Sequence, residues 1–320
     1  MKINLDYGEK GLSVDVPDKN LLKVLKMQES IPIPDPITKV EQALQNPIAT
    51  PALSEMAKGK ETACIVICDI TRPVPNKVIL PPILIALENS GIKRENITIL
   101  IATGIHRPNE GEELVYLVGE EIIDKYRIVN HFAKERETHT YLGKTSQGTD
   151  VLIDTTYVNA DLKITTGFIE PHLMAGFSGG RKLICPGISS IETVKIMHGP
   201  AILEHSNARE GIIDGNPFHE EVLEIAGMAG MDFMLNVALN ETRHITGIFA
   251  GDLEKAHAVG VNFVRDHVQD SIEEPADIVI TTSAGYPLDA TFYQSVKGMT
   301  AALPIVKEDG TIILASECRE

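Results

Sequence analysis

Repeatedly along this chain, a short run of β-branched residues gives way to a segment whose apolar residues recur at helical spacing. ETACIVICD reads as a strand and VILPPILIALENSG as the helix after it, with Pro81 and Pro82 near its start and Gly91 at its end. NITILIATG and the acidic NEGEELVYLVGEEIIDKY repeat the pair. DLKITTG and DIVITTSAG repeat the strand, and GTIILASE closes the chain. Runs this rich in Ile and Val suit strands buried on both faces, which is the habit of parallel sheets covered by helices. The alternation predicts an α/β fold with mostly parallel sheets.

Each strand leads into reactive side chains. ACIVICD runs into Asp69, Thr71 and Arg72, ITILIATG into His106, LKITTG into Glu170 and His172, and IVITTSAG toward Asp289 and FYQSVKG. In open α/β sheets ligands bind beyond the carboxyl ends of the strands, where loops and helix N-termini converge. Four such ends carrying His, Arg, Asp or Gly predict a site there.

The bulk properties exclude several classes. Hydrophobic residues make up 43% and charged residues 23%, as in an ordinary globular protein. A net charge of −16 argues against nucleic acid as a partner. No apolar run approaches the ~18 residues of a membrane span, and MKINLDYGEKGLSVDV alternates like a hairpin rather than a signal peptide. The four cysteines form neither a disulfide framework nor a CxxC metal knuckle, which points to a reducing, cytoplasmic home. The polar HVQDSIEEPAD marks a boundary, giving an N-terminal α/β domain over residues 1–269 and a C-terminal α/β domain starting at 270–320. ASECRE follows a strand with no covering helix, so the second domain is expected to be incomplete.

The densest stretch is EPHLMAGFSGGRKLICPG. A Walker A loop places Ser or Thr after its lysine, whereas Leu183 follows Lys182, which argues against ATP hydrolysis. The amides of Ser178, Gly179 and Gly180 could still cradle a phosphate, the alternative being a plain glycine turn with a solvated lysine. His106, His172 and His198 stand out by their company, while His131, His139, His205, His219, His244, His257 and His267 read as structural. His198 would end a helix begun near Ser189–Ser190, where the dipole supports a metal-bound or protonated imidazole. These three His could suit zinc, although no HExxH pattern is present. Arg72 suits a carboxylate clamp or a surface ion pair. Tyr293 and Lys297 are i, i+4 neighbours if their segment is helical, with Gln294 beside them.

Together the segments CDITRP, ATGIHRP, EPHLMAGFSGGRK, MHGP, and SAGYPLD with FYQSVKG resemble the nickel-pincer-nucleotide lactate racemases and their relatives, in that family's order from about residue 68 onward. The resemblance implies two domains with the active site between them. It implies a cofactor, a pyridinium-3-thioamide-5-thiocarboxylic acid mononucleotide whose pincer holds nickel, attached covalently at Lys182, with His198 completing the metal's coordination. His106 and His172 would be paired acid/base groups on opposite faces of the substrate. Arg72, Tyr293, Gln294 and Lys297 would orient the substrate or cofactor, with Asp69 and Thr71 on the same wall and the loop of Ser178, Gly179 and Gly180 at the phosphate. Enzymes that make the cofactor would be partners. The implied reaction is racemisation or epimerisation of a 2-hydroxy acid, with lactate the leading substrate. Passing through a flat 2-oxo acid by hydride transfer avoids a carbanion beside a carboxylate, and two mirror-image substrates call for two bases. Two rival readings are a zinc hydrolase using the three His and a non-catalytic nucleotide- or phosphate-binding module.

Overall fold

The computed structural model describes residues 1–286 and 288–319; Pro287 of the SAGYPLD motif, Glu320 and the side chain of Tyr293 lie outside that description. The chain divides into two units, one of residues 29–267 and one combining residues 1–28 with 268–320.

The larger unit is built on a six-stranded sheet. Its strands are β1 (Ala63–Cys68), β2 (Ile97–Ala102), β3 (Arg127–Asn130), β4 (Leu162–Phe168), β5 (Phe233–Leu239) and β6 (Ile245–Gly251), in the order β6-β5-β4-β1-β2-β3. All neighbours are parallel except β5 and β6, which pair antiparallel at one edge. Every residue of ACIVIC is buried, as a central strand covered on both faces requires. The chain starts at β1, moves outward to β2 and β3, then returns to β4 on the other side. The switch point therefore falls between β1 and β4, and its carboxyl end is where such folds bind ligands.

Helices cover this sheet: α1 (Asn76–Asn89), α2 (Ile191–Met197), α3 (Pro217–Ala229) and α4 (Leu253–Val268) among them. Pro81 and Pro82 lie inside α1 rather than near its start. Ile79, Leu80, Ile83, Leu84 and Leu87 are all buried along it, and their packing outweighs the helix bonds that proline removes. The acidic segment is two helices, Glu112–Val118 and Glu120–Lys125, broken at Gly119 with its positive φ of 85°. Among the described residues no helix is long and apolar enough to cross a membrane.

The smaller unit corrects the expected domain division. Its N-terminal hairpin pairs Lys2–Leu5 with Leu12–Asp15, and its C-terminal part pairs Ala276–Thr282 in parallel with Val306–Ala315 beside α5 (Phe292–Ala302). Residues 1–28 thus group with the C-terminal segment, not with a domain running 1–269. The physical reason is local. The buried Asp289 carboxylate accepts the Gly8 amide at 2.7 Å and the Glu317 amide at 3.2 Å, and Lys23 pairs with Asp270. The exit of IVITTSAG belongs to this unit, so the exits that gather on the large sheet are those of β1, β2 and β4.

Candidate active site

At the exit of β1, Asp69 is 3% exposed and does the organising. One carboxylate oxygen accepts the Thr71 amide at 3.2 Å and the Thr71 hydroxyl at 2.6 Å. The other meets His106 Nδ1 at 2.6 Å, reaching across from the exit of β2. An acceptor-only carboxylate fixes the proton on Nδ1, so the exposed Nε2 presents a lone pair. Thr71 therefore serves Asp69, and Asp69 serves His106. Arg72 is half-buried, with a long 3.4 Å bond from Nη1 to the Thr71 carbonyl and, among the described residues, no carboxylate in ion-pair range. Arg107 differs, being clamped by Glu113 through contacts of 2.8 and 2.6 Å, which hold that carboxyl down at about 2.

His172 sits half-buried on a short hairpin that pairs Pro171–His172 with Gly176–Phe177. Its Nδ1 accepts the amides of Met174 and Ala175 at 3.4 and 3.2 Å. A neutral ring so held carries its proton on Nε2, the reverse of His106. Gly176 (φ 73°) makes this turn possible, because a Cβ there would lie 2.0 Å from the Ile212 carbonyl oxygen.

The following loop turns several of its polar groups inward. The Ser178 amide donates to the Glu170 carbonyl at 2.8 Å, and the Gly180 amide to Asn236 Oδ1 at 2.7 Å. Ser178 Oγ donates to the Phe168 carbonyl and accepts the Glu170 amide. With these groups engaged inside the protein, the amides of Ser178 and Gly180 are taken up within the turn. Gly179 (φ 80°) is required because a Cβ would stand 2.5 Å from Asn236 Oδ1. Beneath lies Arg181, 1% exposed, bonded to His257 Nε2 and to the carbonyls of Ala175 and Phe177. Burial alone pulls its guanidinium down to about 9.

Lys182 emerges half-buried from this turn, its Nζ 5.2 Å from the centre of the Phe218 ring. His198, capping α2, meets the same ring edge-on at 5.8 Å. His198 Nδ1 donates to the Val194 carbonyl at 2.9 Å, which leaves Nε2 as the free ligand atom. Burial, the largest influence, lowers its pKa, and the Lys182 charge adds to that; the expected dipole support for a protonated ring is outweighed. A neutral imidazole with a free Nε2 and an amine beside the same aromatic ring fit a group anchored at Lys182 and ligated by His198. Among the described residues no three or more His, Cys, Asp or Glu side chains gather to hold a metal, so His106, His172 and His198 do not form the zinc site of the hydrolase reading.

Members of both clusters lie near the end of β1. Burial pushes the Cys68 thiol up to about 12, and Arg72, Asp69, Glu170 and Lys182 all lie within electrostatic reach of it. The Gly104 amide, two residues before His106, donates to the Gly187 carbonyl at 2.9 Å, tying the β2 exit to the segment after Lys182. Gln294 and Lys297 are half-buried on α5 of the smaller unit, Gln294 with its carbonyl oxygen buried and unpartnered; the side chain of Tyr293 lies outside the described residues. The sequence reading missed Phe218, Asn109 and Asn236. The lone Asn in the apolar run FMLNVAL was the available signal for the last.

Known proteins resemble this chain over nearly its whole length. The lactate racemase N-terminal domain family matches residues 7–211, and the lactate racemase C-terminal domain family matches residues 271–320. The lactate racemase of Thermoanaerobacterium thermosaccharolyticum is 38% identical over 328 residues, covering 99% of this chain and 75% of that protein. The lactate racemase of Lactiplantibacillus plantarum is 40% identical over 321 residues with the same coverage. The solved lactate racemase apoprotein from T. thermosaccharolyticum superposes with a TM-score of 0.93 at 39% identity, over 99% of this chain and 75% of that one. A Thermotoga maritima structural-genomics protein, at 21% identity and a TM-score of 0.66 over 80% of this chain and 66% of that one, shares the fold. The chain belongs to the lactate racemase family, and is with it an isomerase of the racemase type.

Proposed function

We propose that the chain interconverts the enantiomers of a 2-hydroxy acid, with lactate the leading substrate, using a nickel-pincer nucleotide attached at Lys182. The observation that carries this reading is the Asp69–His106 pair at the carboxyl ends of β1 and β2, with Asp69 and Lys182 both in electrostatic reach of Cys68 at the end of β1. Bound through Lys182 and His198, such a nucleotide would supply the hydride acceptor that turns the hydroxy acid into a flat 2-oxo acid and back. His106 Nε2 takes the hydroxyl proton of one enantiomer, and Asp69 steadies the imidazolium that results. Arg72 takes the substrate carboxylate in a planar, two-pronged contact. His172 serves the opposite face. To take a proton at Nε2 it must carry its own proton on Nδ1, so its amide contacts from Met174 and Ala175 must be released in that direction of turnover. The family resemblance adds Tyr293, Gln294 and Lys297 as the remaining residues proposed for substrate binding. Free thiols at Cys64, Cys68, Cys185 and Cys318 suit a reducing cytoplasm, where the cofactor-making enzymes would be partners.

The test is intact mass and racemisation of L-lactate after production beside the cofactor-making enzymes with nickel supplied. A nickel-containing adduct mapping to Lys182 and a racemic product are expected. His106→Ala should keep the adduct and lose turnover by on the order of 10²–10⁴-fold. An unmodified Lys182, or full activity in His106→Ala, would overturn the reading.

A further inference from the structure

The Asp69–His106 contact joins two separate loops, and its His106 side chain is 46% exposed to water. An exposed ring has no packing of its own to hold it to sub-ångström register, and catalysis loses steeply with misplacement. We infer that Asn109 is the positioning residue that keeps Asp69 and His106 in register, an inference that rests on the proposed role of His106.

Asn109 is 1% exposed and has all four polar groups engaged. Its Oδ1 accepts the amide of Ile70, the residue after Asp69, at 3.1 Å. Its Nδ2 donates to Glu113 at 3.0 Å, the same carboxylate that clamps Arg107, the residue after His106. Its own amide donates to Asn130 Oδ1 at 2.9 Å, and Asn130 Nδ2 returns a bond to its carbonyl at 3.0 Å. The Ile70–Asn109 bond is therefore a second link between the same two loops, running beside Asp69–His106 with its Asn109 end buried. Asn130 ends β3, so the buried link is also fixed to the sheet. A carboxamide suits this position because it donates and accepts at once; Leu or Ala would take the acceptor from the Ile70 amide and one donor from Glu113.

The holoenzyme with Asn109→Ala should lose on the order of 10²-fold in kcat with KM changed less than about threefold. In an Asp69→Asn background the same change should cost less than about threefold, because the register it protects no longer matters. Ring ¹⁵N shifts of His106 in the apoprotein give a readout independent of turnover: one Nδ1–H tautomer in the unaltered chain, a mixture in Asn109→Ala. Equal losses in both backgrounds, or an unaltered tautomer in a folded Asn109→Ala, would overturn the inference. If the unaltered holoenzyme fails to racemise while the tautomer still responds, the functional reading falls and the positioning role stands.

Discussion

His219 and His106 show how differently burial and partnership treat one side chain. His219 lies against buried Arg181, its Nδ1 buried and without a partner, and burial above all holds it down to about 4. In an unfolded chain an imidazole titrates near about 6.5, so between those values the unfolded state binds the extra proton. Stability should accordingly fall as the pH is lowered from about 6.5 to 4, by up to about 2–3 kcal/mol for this group. Urea unfolding across that range should show the decline, and His219→Phe should flatten part of it; an identical slope in the variant would refute the assignment. At this scale the sequence was legible where a residue's neighbours in the chain share its task. Asp69, Thr71 and Arg72 are adjacent, and His106 advertises itself at a strand exit. Phe218 and Asn109 were illegible because their roles arise only through partners far along the chain.

Asn216 acts for a whole element. Fully buried, it caps α3 by accepting the amides of Phe218 and His219, while its Nδ2 donates to the carbonyls of Met174 and Ile212. One side chain thus orients the helix bearing Phe218 and fastens the hairpin bearing His172. Asn216→Ala should lower stability by about 2 kcal/mol or more, since a cap is lost and two buried carbonyls lose a donor. The urea midpoint should drop with an unchanged m-value, and nickel retained per chain after dialysis should fall as Phe218 loosens. Retention equal to the unaltered protein would separate Phe218 from the metal site. Strands were readable as elements because burial on both faces leaves little room for polar residues. Helix bounds were less so: the apolar face of α1 overrode two prolines, and Gly119 split a segment whose charge pattern reads as continuous.

For the molecule as a whole, the alternation of strand and helix disclosed the fold class, but not the strand order, which depends on pairings between residues about a hundred positions apart, such as Ile65 with Ile164. Nor did it disclose that the first 28 residues join the last fifty or so, since that rests on a few contacts such as Gly8 with Asp289. Arg181 is a cation sealed from water beneath Lys182, in a chain whose net charge is −16. In the proposed reaction the hydroxy acid anion would be repelled by the acidic exterior, and mobile ions weaken that repulsion over a Debye length of about 10 Å at 0.1 M salt. Those ions cannot enter to blunt the guanidinium. Raising salt from about 10 to 150 mM should therefore increase kcat/KM, and a decrease would locate the dominant attraction on the surface instead. Such a protein turns anions away at long range and welcomes them at the threshold, so its capture rate becomes a gauge of the ionic strength around it.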